Sequence, residues 1–95
     1  MSNVIFGKVN CPFCDNAKTL LDQKGYEYEY IDVGANSGNL QEMVKKVSDA
    51  VGHVPRTVPQ IFIDSEYVGG YTELVAKNLP SKVELDFNND DLGDL

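Results

Sequence analysis

Both cysteines of this 95-residue chain lie in one short stretch, NCPFCDNAKTLL, with a proline and a phenylalanine between them. Such a pair serves as half of a metal site, as a structural disulfide or as a redox centre. A zinc site needs two further ligands, and the chain offers His53 and carboxylates without a second cysteine pair. We interpret His53 as a solvated loop residue. A chain of this length folds without a stabilising disulfide. The redox interpretation is therefore favoured.

The residues around the pair predict different roles for the two sulfurs. Pro12 suits the first position of a helix, which makes Cys11 its N-cap residue. A Cys11 thiolate would meet the free backbone N–H groups of Phe13 and Cys14 and the positive helix end, and Lys8 adds charge nearby. Such surroundings lower a cysteine pKa from about 8.5 to roughly 3.5–7.5. Residues three apart in a helix have Cα atoms about 5 Å apart, so a reversible disulfide can form. We expect Cys14 to be more buried and to resolve, while Cys11 attacks.

Apolar spacing predicts the elements that position this pair. In chain order these are a strand over 3–9, a helix over 12–24, a strand over 26–33, a helix over about 39–51, strands at 60–63 and 66–69, and a helix from 71 to about 79. Asn39 with Glu42 has the spacing of a helix cap, and Asp64–Ser65 suits a two-residue hairpin turn. Tyr26, Tyr28 and Tyr30 alternate onto one face of their strand, which we assign to the core. The order β-α-β-α-β-β-α predicts an α/β fold with helices covering a sheet.

Composition and charge exclude several functional classes. The net charge is −7, with 8 Lys and Arg against 15 Asp and Glu. Binding to nucleic acid or anionic membranes is thereby disfavoured. The N-terminus has too short an apolar run for a signal peptide, and no run approaches a membrane span of about 20 residues. We expect a cytoplasmic protein with one domain over residues 1–85 and an acidic, frayed tail over 86–95.

Three motifs together carry a family resemblance. KVNCPFC follows the first strand, RTVPQIFID precedes the hairpin and GGYTEL follows it. In this order and at these separations they resemble a glutaredoxin of the two-cysteine type over about residues 3–80. The resemblance implies a thioredoxin-like fold with a central four-stranded mixed sheet flanked by helices. The W-C-G-P-C motif typical of thioredoxins is absent.

The resemblance also implies an activity. Cys11 would attack a glutathione mixed disulfide, and a second glutathione would regenerate the enzyme. For protein disulfides, Cys11 would form a mixed disulfide that Cys14 then resolves. Glutathione is thus the expected reductant, no metal is expected, and the chain is expected to be a monomer. Disulfide-containing proteins would be the other partners, with ribonucleotide reductase as one candidate.

The resemblance further implies a glutathione site. Val58 would pair through its backbone with the cysteinyl part of glutathione, with Pro59 in the cis form. Lys8 would approach the glycine carboxylate, and Arg56 would add positive charge. Thr72 would bind the γ-glutamyl end. The expected site residues are Lys8, Phe13, Arg56, Thr57, Val58, Pro59, Gly70, Tyr71 and Thr72.

Two of these positions depart from the common family pattern. Many relatives carry Asp where this chain has Thr72, so the γ-glutamyl ammonium loses a charged partner, for which Glu73 is a candidate replacement. Tyr is frequent at the position of Phe13, where this chain keeps the ring without the hydroxyl. We therefore predict that glutathione binds, but more weakly than usual.

Two other functions stay open at this point. Some glutaredoxin-like proteins carry an iron–sulfur cluster between two chains, although these usually have C-G-F-S instead of C-P-F-C. A redox-inactive interaction module on the same fold is the other alternative, with the acidic tail as its docking segment.

Overall fold

A computed structural model describes residues 2–82 of the chain. Its elements are β1 (Val4–Gly7), α1 (Pro12–Gln23), β2 (Glu29–Asp32), α2 (Ser37–Val51), β3 (Gln60–Ile63), β4 (Glu66–Gly69) and α3 (Tyr71–Lys77). The predicted order is confirmed. The acidic tail and the end of the proposed domain at 85 lie outside the described residues. Within residues 2–82, no helix is long and apolar enough to cross a membrane.

The four strands form one mixed sheet in the order β2-β1-β3-β4. β1 pairs parallel to β2 through the α1 connection and antiparallel to β3, and β3 pairs antiparallel to β4. This is the predicted thioredoxin-like sheet. Because β1 and β3 run in opposite directions, the end of β1 and the start of β3 lie at the same edge. The end of β4 reaches that edge as well.

Alternating side chains on the central strands divide the core into two parts. On one face, α1 and α3 cover a cluster of Ile5, Ala17, Leu21, Tyr26, Ile61, Ile63, Leu74 and Leu79. On the other face, Met43 and Val47 of α2 pack on Phe6 and Phe62. Tyr28 and Tyr30 pack against the first cluster beside Tyr26, which confirms that the tyrosine row belongs to the core.

Local backbone signals set most element ends as predicted. Asp64 and Ser65 both have positive φ, 51° and 68°, as a two-residue hairpin turn with the twist of the strands requires. Gly52 ends α2 in the left-handed conformation at φ 83°. The strand predicted over 26–33 is shorter than expected, because the Tyr26 N–H still donates to the Leu21 carbonyl of the preceding turn.

The predicted cap of the second helix was wrong. Asn36, not Asn39, is the N-cap residue of α2, and its side chain accepts a hydrogen bond from the Asn39 N–H at 2.8 Å. Asn39 lies one turn inside the helix, where its side chain donates to the Asp32 carbonyl. The Asn39–Glu42 spacing resembles a cap because an N-cap and its N3 residue are three positions apart, and pairs with this separation also occur inside a helix.

Candidate active site

Cys11 caps α1 as the sequence predicts. Its backbone is extended, with φ −122° and ψ 101°, and its Sγ accepts a hydrogen bond from the Cys14 N–H at 3.2 Å. Pro12 occupies the first helical position. The sulfur therefore lies next to a backbone donor at the positive end of a twelve-residue helix, where a thiolate is stabilised.

The two cysteines form a disulfide, with Cα atoms 5.2 Å apart. Cys11 is 7% exposed and Cys14 is completely buried. Both the predicted spacing and the predicted difference in burial are confirmed. The exposed part of the pair therefore belongs to Cys11, because Cys14 is covered by protein.

Phe13 lies on the surface between the two cysteines. Phe13 is 60% exposed. Its ring stacks on that of Tyr71, with the ring centroids 6.0 Å apart and an angle of 29° between the ring planes. This stack joins the first turn of α1 to the first turn of α3. Phe13 therefore forms an aromatic wall beside the disulfide and is not a core contact of α1.

A hollow of about 160 Å³ opens next to this wall. The Val58–Pro59 peptide bond in its lining is cis. The hollow is lined by Phe13, Thr57, Val58, Pro59, Gly70, Tyr71, Thr72 and Glu73. Seven of the nine residues predicted for a glutathione site thus meet here, contributed by the start of α1, the loop before β3 and the start of α3.

The remaining two predicted residues, Lys8 and Arg56, line an adjacent hollow of about 260 Å³. Thr57 and Val58 line both hollows and form the wall between them. One side of the Thr57–Val58 segment therefore faces the aromatic pair, and the other side faces two cations. Both side chains are positive at neutral pH, which makes this a basic spot on an acidic protein.

Glu73 is the lining residue that the predicted set omits. Its Oε1 accepts a hydrogen bond from the Gly70 N–H at 2.9 Å, which caps α3. Gly69 has φ 119°, and a Cβ there would lie 3.0 Å from the Glu73 Cγ. The capping-box position of Glu73, three residues after Gly70, is the sequence signal that identifies its role.

A larger groove of about 840 Å³ continues from this region along β4. It shares Pro55, Arg56, Thr57, Gly70 and Glu73 with the two hollows. Its floor holds a hydrogen bond from the Tyr67 hydroxyl to the Gln60 side chain. Burial raises the pKa of Tyr67, and the nearby Glu73 carboxylate raises it further. The sequence carried no signal for this groove.

His53 also lines the larger groove, in the exposed loop after α2. No group of three or more His, Cys, Asp or Glu side chains suited to a metal ion occurs between residues 2 and 82.

Comparison with known proteins identifies relatives with this architecture. A family model described as Glutaredoxin matches residues 3–68. Glutaredoxin 1 of Escherichia coli is 36% identical over 81 residues, which cover 80% of this chain and 91% of the relative. Glutaredoxin 3 of the same organism is 39% identical over 77 residues, covering 80% and 86%.

Solved structures give the same result. A buckwheat glutaredoxin–glutathione complex superimposes with a TM-score of 0.67 at 30% identity, covering 81% of this chain and 67% of the other. Glutaredoxin 1 from Francisella tularensis, complexed with cacodylate, has a TM-score of 0.63 at 32% identity, covering 80% and 90%.

Proposed function

This chain belongs to the glutaredoxin family and is a thiol–disulfide oxidoreductase with a cysteine pair, and from this premise we propose that glutathione is its reductant. The observation that carries the proposal is the Cys11 N-cap beside a hollow that seven predicted site residues line. A buckwheat relative of the same fold is a glutathione complex.

The proposed reaction begins at the exposed side of the pair. The Cys11 thiolate attacks the glutathionyl sulfur of a mixed disulfide and forms an S–S bond to it. The bond between that sulfur and the substrate breaks, and the substrate leaves as a thiolate that takes a proton from solvent. A second glutathione thiolate then attacks the glutathionyl sulfur. Oxidised glutathione leaves, and Cys11 is a thiolate again. This cycle needs Cys11 alone.

Protein disulfides use both cysteines in the proposed mechanism. Cys11 attacks one substrate sulfur and forms a mixed disulfide, and Cys14 then attacks the Cys11 sulfur. This attack breaks the bond between Cys11 and the substrate, so that the reduced substrate leaves and the Cys11–Cys14 disulfide seen in the structure remains. Glutathione reduces that disulfide in two steps. Glutaredoxin potentials near −200 to −230 mV lie close to the glutathione pool, so the reaction is reversible.

We assign parts of glutathione to the two hollows. The backbone of Val58, the residue before Pro59, pairs with the cysteinyl part, because an extended residue before proline offers N–H and C=O groups to an extended peptide. The glycine carboxylate lies toward Lys8 and Arg56. The γ-glutamyl part lies toward Gly70, Tyr71 and Thr72, with Phe13, Thr57 and Pro59 forming the remaining walls.

Glu73 only partly replaces the Asp that many relatives carry at the position of Thr72 as a partner for the γ-glutamyl ammonium. One of its carboxylate oxygens already accepts from the Gly70 N–H, so a γ-glutamyl ammonium meets a carboxylate that is held by the helix cap. Thr72 offers a hydroxyl at the position where relatives often carry Asp. We propose that glutathione binds in this site and that its γ-glutamyl end is bound more weakly than in relatives with Asp at the position of Thr72.

The proposal extends to partners and location. Glutathione and disulfide-containing proteins are the substrates, with ribonucleotide reductase as one candidate, and the protein acts as a monomer. Its compartment is the cytoplasm, where a glutathione pool keeps thiols reduced and a lone cysteine pair serves exchange chemistry.

A glutathione-coupled reduction assay tests this function. We expect Cys11→Ser to abolish turnover of both glutathione mixed disulfides and protein disulfides. Cys14→Ser should keep turnover of the mixed disulfide and lose reduction of the protein disulfide. Activity that survives C11S, or a C14S protein that never accumulates as a glutathione adduct, would contradict the proposal.

A further inference from the structure

The hydroxyl of Tyr30, at the end of a side chain from β2, lies at the turn between β1 and α1. It donates a hydrogen bond to the Lys8 carbonyl at 2.9 Å. Its ring packs against the larger core cluster, and the Lys18 Nζ lies 4.4 Å from the ring centroid. The ring is thus fixed between the sheet and α1, and its polar end points to the turn that precedes Cys11.

Gly7 shows how close this hydroxyl comes to the resolving cysteine. A Cβ added at Gly7 would collide with the end of the Tyr30 ring and its hydroxyl, and would lie 3.0 Å from the Cys14 Sγ. The phenol oxygen and the buried sulfur therefore border the same point beside the Gly7 Cα. Because Gly7 has no side chain, the Tyr30 hydroxyl and the Cys14 sulfur can both lie next to its Cα.

Burial makes such a neighbour important for Cys14. Its side chain has no exposed surface, and a thiolate without water or a hydrogen-bond donor is strongly disfavoured. Cys11 has the helix N-terminus to stabilise its charge, whereas the Cys14 sulfur lies one turn inside α1. A donor next to the Cys14 sulfur supplies what the helix end supplies to Cys11.

We propose that Tyr30 is a catalytic residue of the resolving step, whose hydroxyl turns from the Lys8 carbonyl to the Cys14 sulfur when the disulfide is open and Cys14 is a thiolate, and stabilises that thiolate. The inference rests on the proposed function in one respect, namely that Cys14 resolves a mixed disulfide on Cys11. A charged acceptor competes well against a neutral carbonyl, because hydrogen bonds to ions are about twice as strong.

Tyr30 is chemically unchanged by the resolving step. Cys14 loses its proton to water, and its electron pair forms the bond to the Cys11 sulfur. The bond from Cys11 to the substrate sulfur breaks, and the substrate thiolate takes a proton from solvent. Tyr30 donates a hydrogen bond throughout and keeps its own proton.

The surroundings of the phenol favour this protonated state. Burial raises the pKa of Tyr30, and the carboxylates of Asp15 and Asp32 raise it further. The charged and titratable groups around the hydroxyl come from α1, from β2 and the residue before it, and from the turn after β1; they are Asp15, Lys18, Tyr28, Asp32 and Lys8. The phenol therefore keeps its proton and remains a donor at neutral pH.

The direct test is the titration of Cys14 by the ¹³Cβ shift of labelled cysteine in the C11S background, with and without Tyr30→Phe. Loss of one hydrogen bond to an ion, about 1.5 kcal/mol, raises the Cys14 pKa by about one unit. Tyr28→Phe is the matched control, because the Tyr28 hydroxyl donates instead to the Lys18 carbonyl, at 3.5 Å, and should leave the Cys14 titration unchanged.

A kinetic measurement in the two-cysteine protein separates this role from a structural one. A tenfold loss of Cys14 thiolate is offset in part by its greater nucleophilicity, so Y30F should slow resolution of a protein mixed disulfide about threefold. A purely structural role would instead slow the attack by Cys11. Equal slowing of both steps, or a Cys14 titration that Y30F does not move, overturns the proposal.

A readout on the unmodified chain covers the case in which Y30F fails to fold. In the protein reduced with a small dithiol, the ¹³Cζ shift of Tyr30 should change as the pH rises and Cys14 becomes a thiolate, whereas that of Tyr28 should stay the same. An unchanged Tyr30 signal contradicts the proposal. Neither NMR experiment contains glutathione, so its outcome is independent of whether glutathione is the reductant.

Discussion

At the residue scale, the chemistry depends on the different positions of two cysteines in one helical turn. The Cys11 sulfur accepts from a backbone N–H at the N-terminus of α1, and the Cys14 sulfur lies under it without exposed surface. The first arrangement stabilises a thiolate, and the second keeps a thiol away from solvent. The proposed division into an attacking and a resolving cysteine therefore rests on the N-cap position of Cys11.

Thr72 offers a test of glutathione recognition at this scale. Thr72→Asp adds a carboxylate for the γ-glutamyl ammonium, and an exposed ion pair contributes about 0.2–1 kcal/mol. We expect the KM for a glutathione mixed disulfide to fall by up to about fivefold, measured by steady-state kinetics in low salt. Thr72→Asn is the control with a similar shape and no charge. Equal KM values for T72D and T72N would show that charge at this position is irrelevant.

At the element scale, three chain segments meet at one edge of the sheet because of strand direction. β1 ends there before Cys11, β3 begins there after Pro59, and β4 ends there before α3, since β3 is antiparallel to both. Each segment is short, so its side chains stay at that edge. The site is therefore a consequence of the two antiparallel pairings in a mixed sheet.

The start of α2 provides a prediction about stability. Asn36→Ala removes the side-chain acceptor of the Asn39 N–H, and the loss of an N-cap costs about 1 kcal/mol. Urea unfolding should show a lower free energy of unfolding for this variant. Asn16→Ala, on an exposed position of α1, is the control and should change stability little. A destabilisation as large in N16A would contradict the cap assignment.

At the scale of the whole molecule, charge opposes the proposed substrate. The chain carries a net charge of −7, and glutathione is an anion at neutral pH. Long-range repulsion slows the approach of an anion, and salt screens it beyond about 10 Å at 0.1 M. The hollow lined by Lys8 and Arg56 concentrates positive charge where the proposed glycine carboxylate would lie.

This charge distribution predicts a salt-dependent effect of removing either cation. Lys8→Gln and Arg56→Gln should each raise the KM for a glutathione mixed disulfide by about two- to fivefold, and less at high salt. Lys45→Gln is the control, because it changes the net charge equally at an exposed pair with Asp49 on α2. If K45Q raises the KM as much, the effect belongs to net charge and not to the site.

Local features could be predicted from the sequence because they depend on residues at most four positions apart. The N-cap at Cys11, the turn at Asp64–Ser65, the left-handed Gly52 and the alternation of the tyrosine row all follow from such interactions. The same short range explains the error at α2, since the three-residue cap spacing of Asn36 and Asn39 recurs at Asn39 and Glu42.

The tertiary structure alone decided which distant residues meet. Phe13 stacks on Tyr71, Thr57 and Val58 separate the aromatic wall from Lys8 and Arg56, and Tyr30 approaches Cys14 beside Gly7. These contacts depend on strand order and register, which residue spacing does not encode. The chemistry of the cysteine pair was therefore readable from one helical turn. Its surroundings were determined by the pairing of β1 and β4 with β3 and by the packing of helices on that sheet.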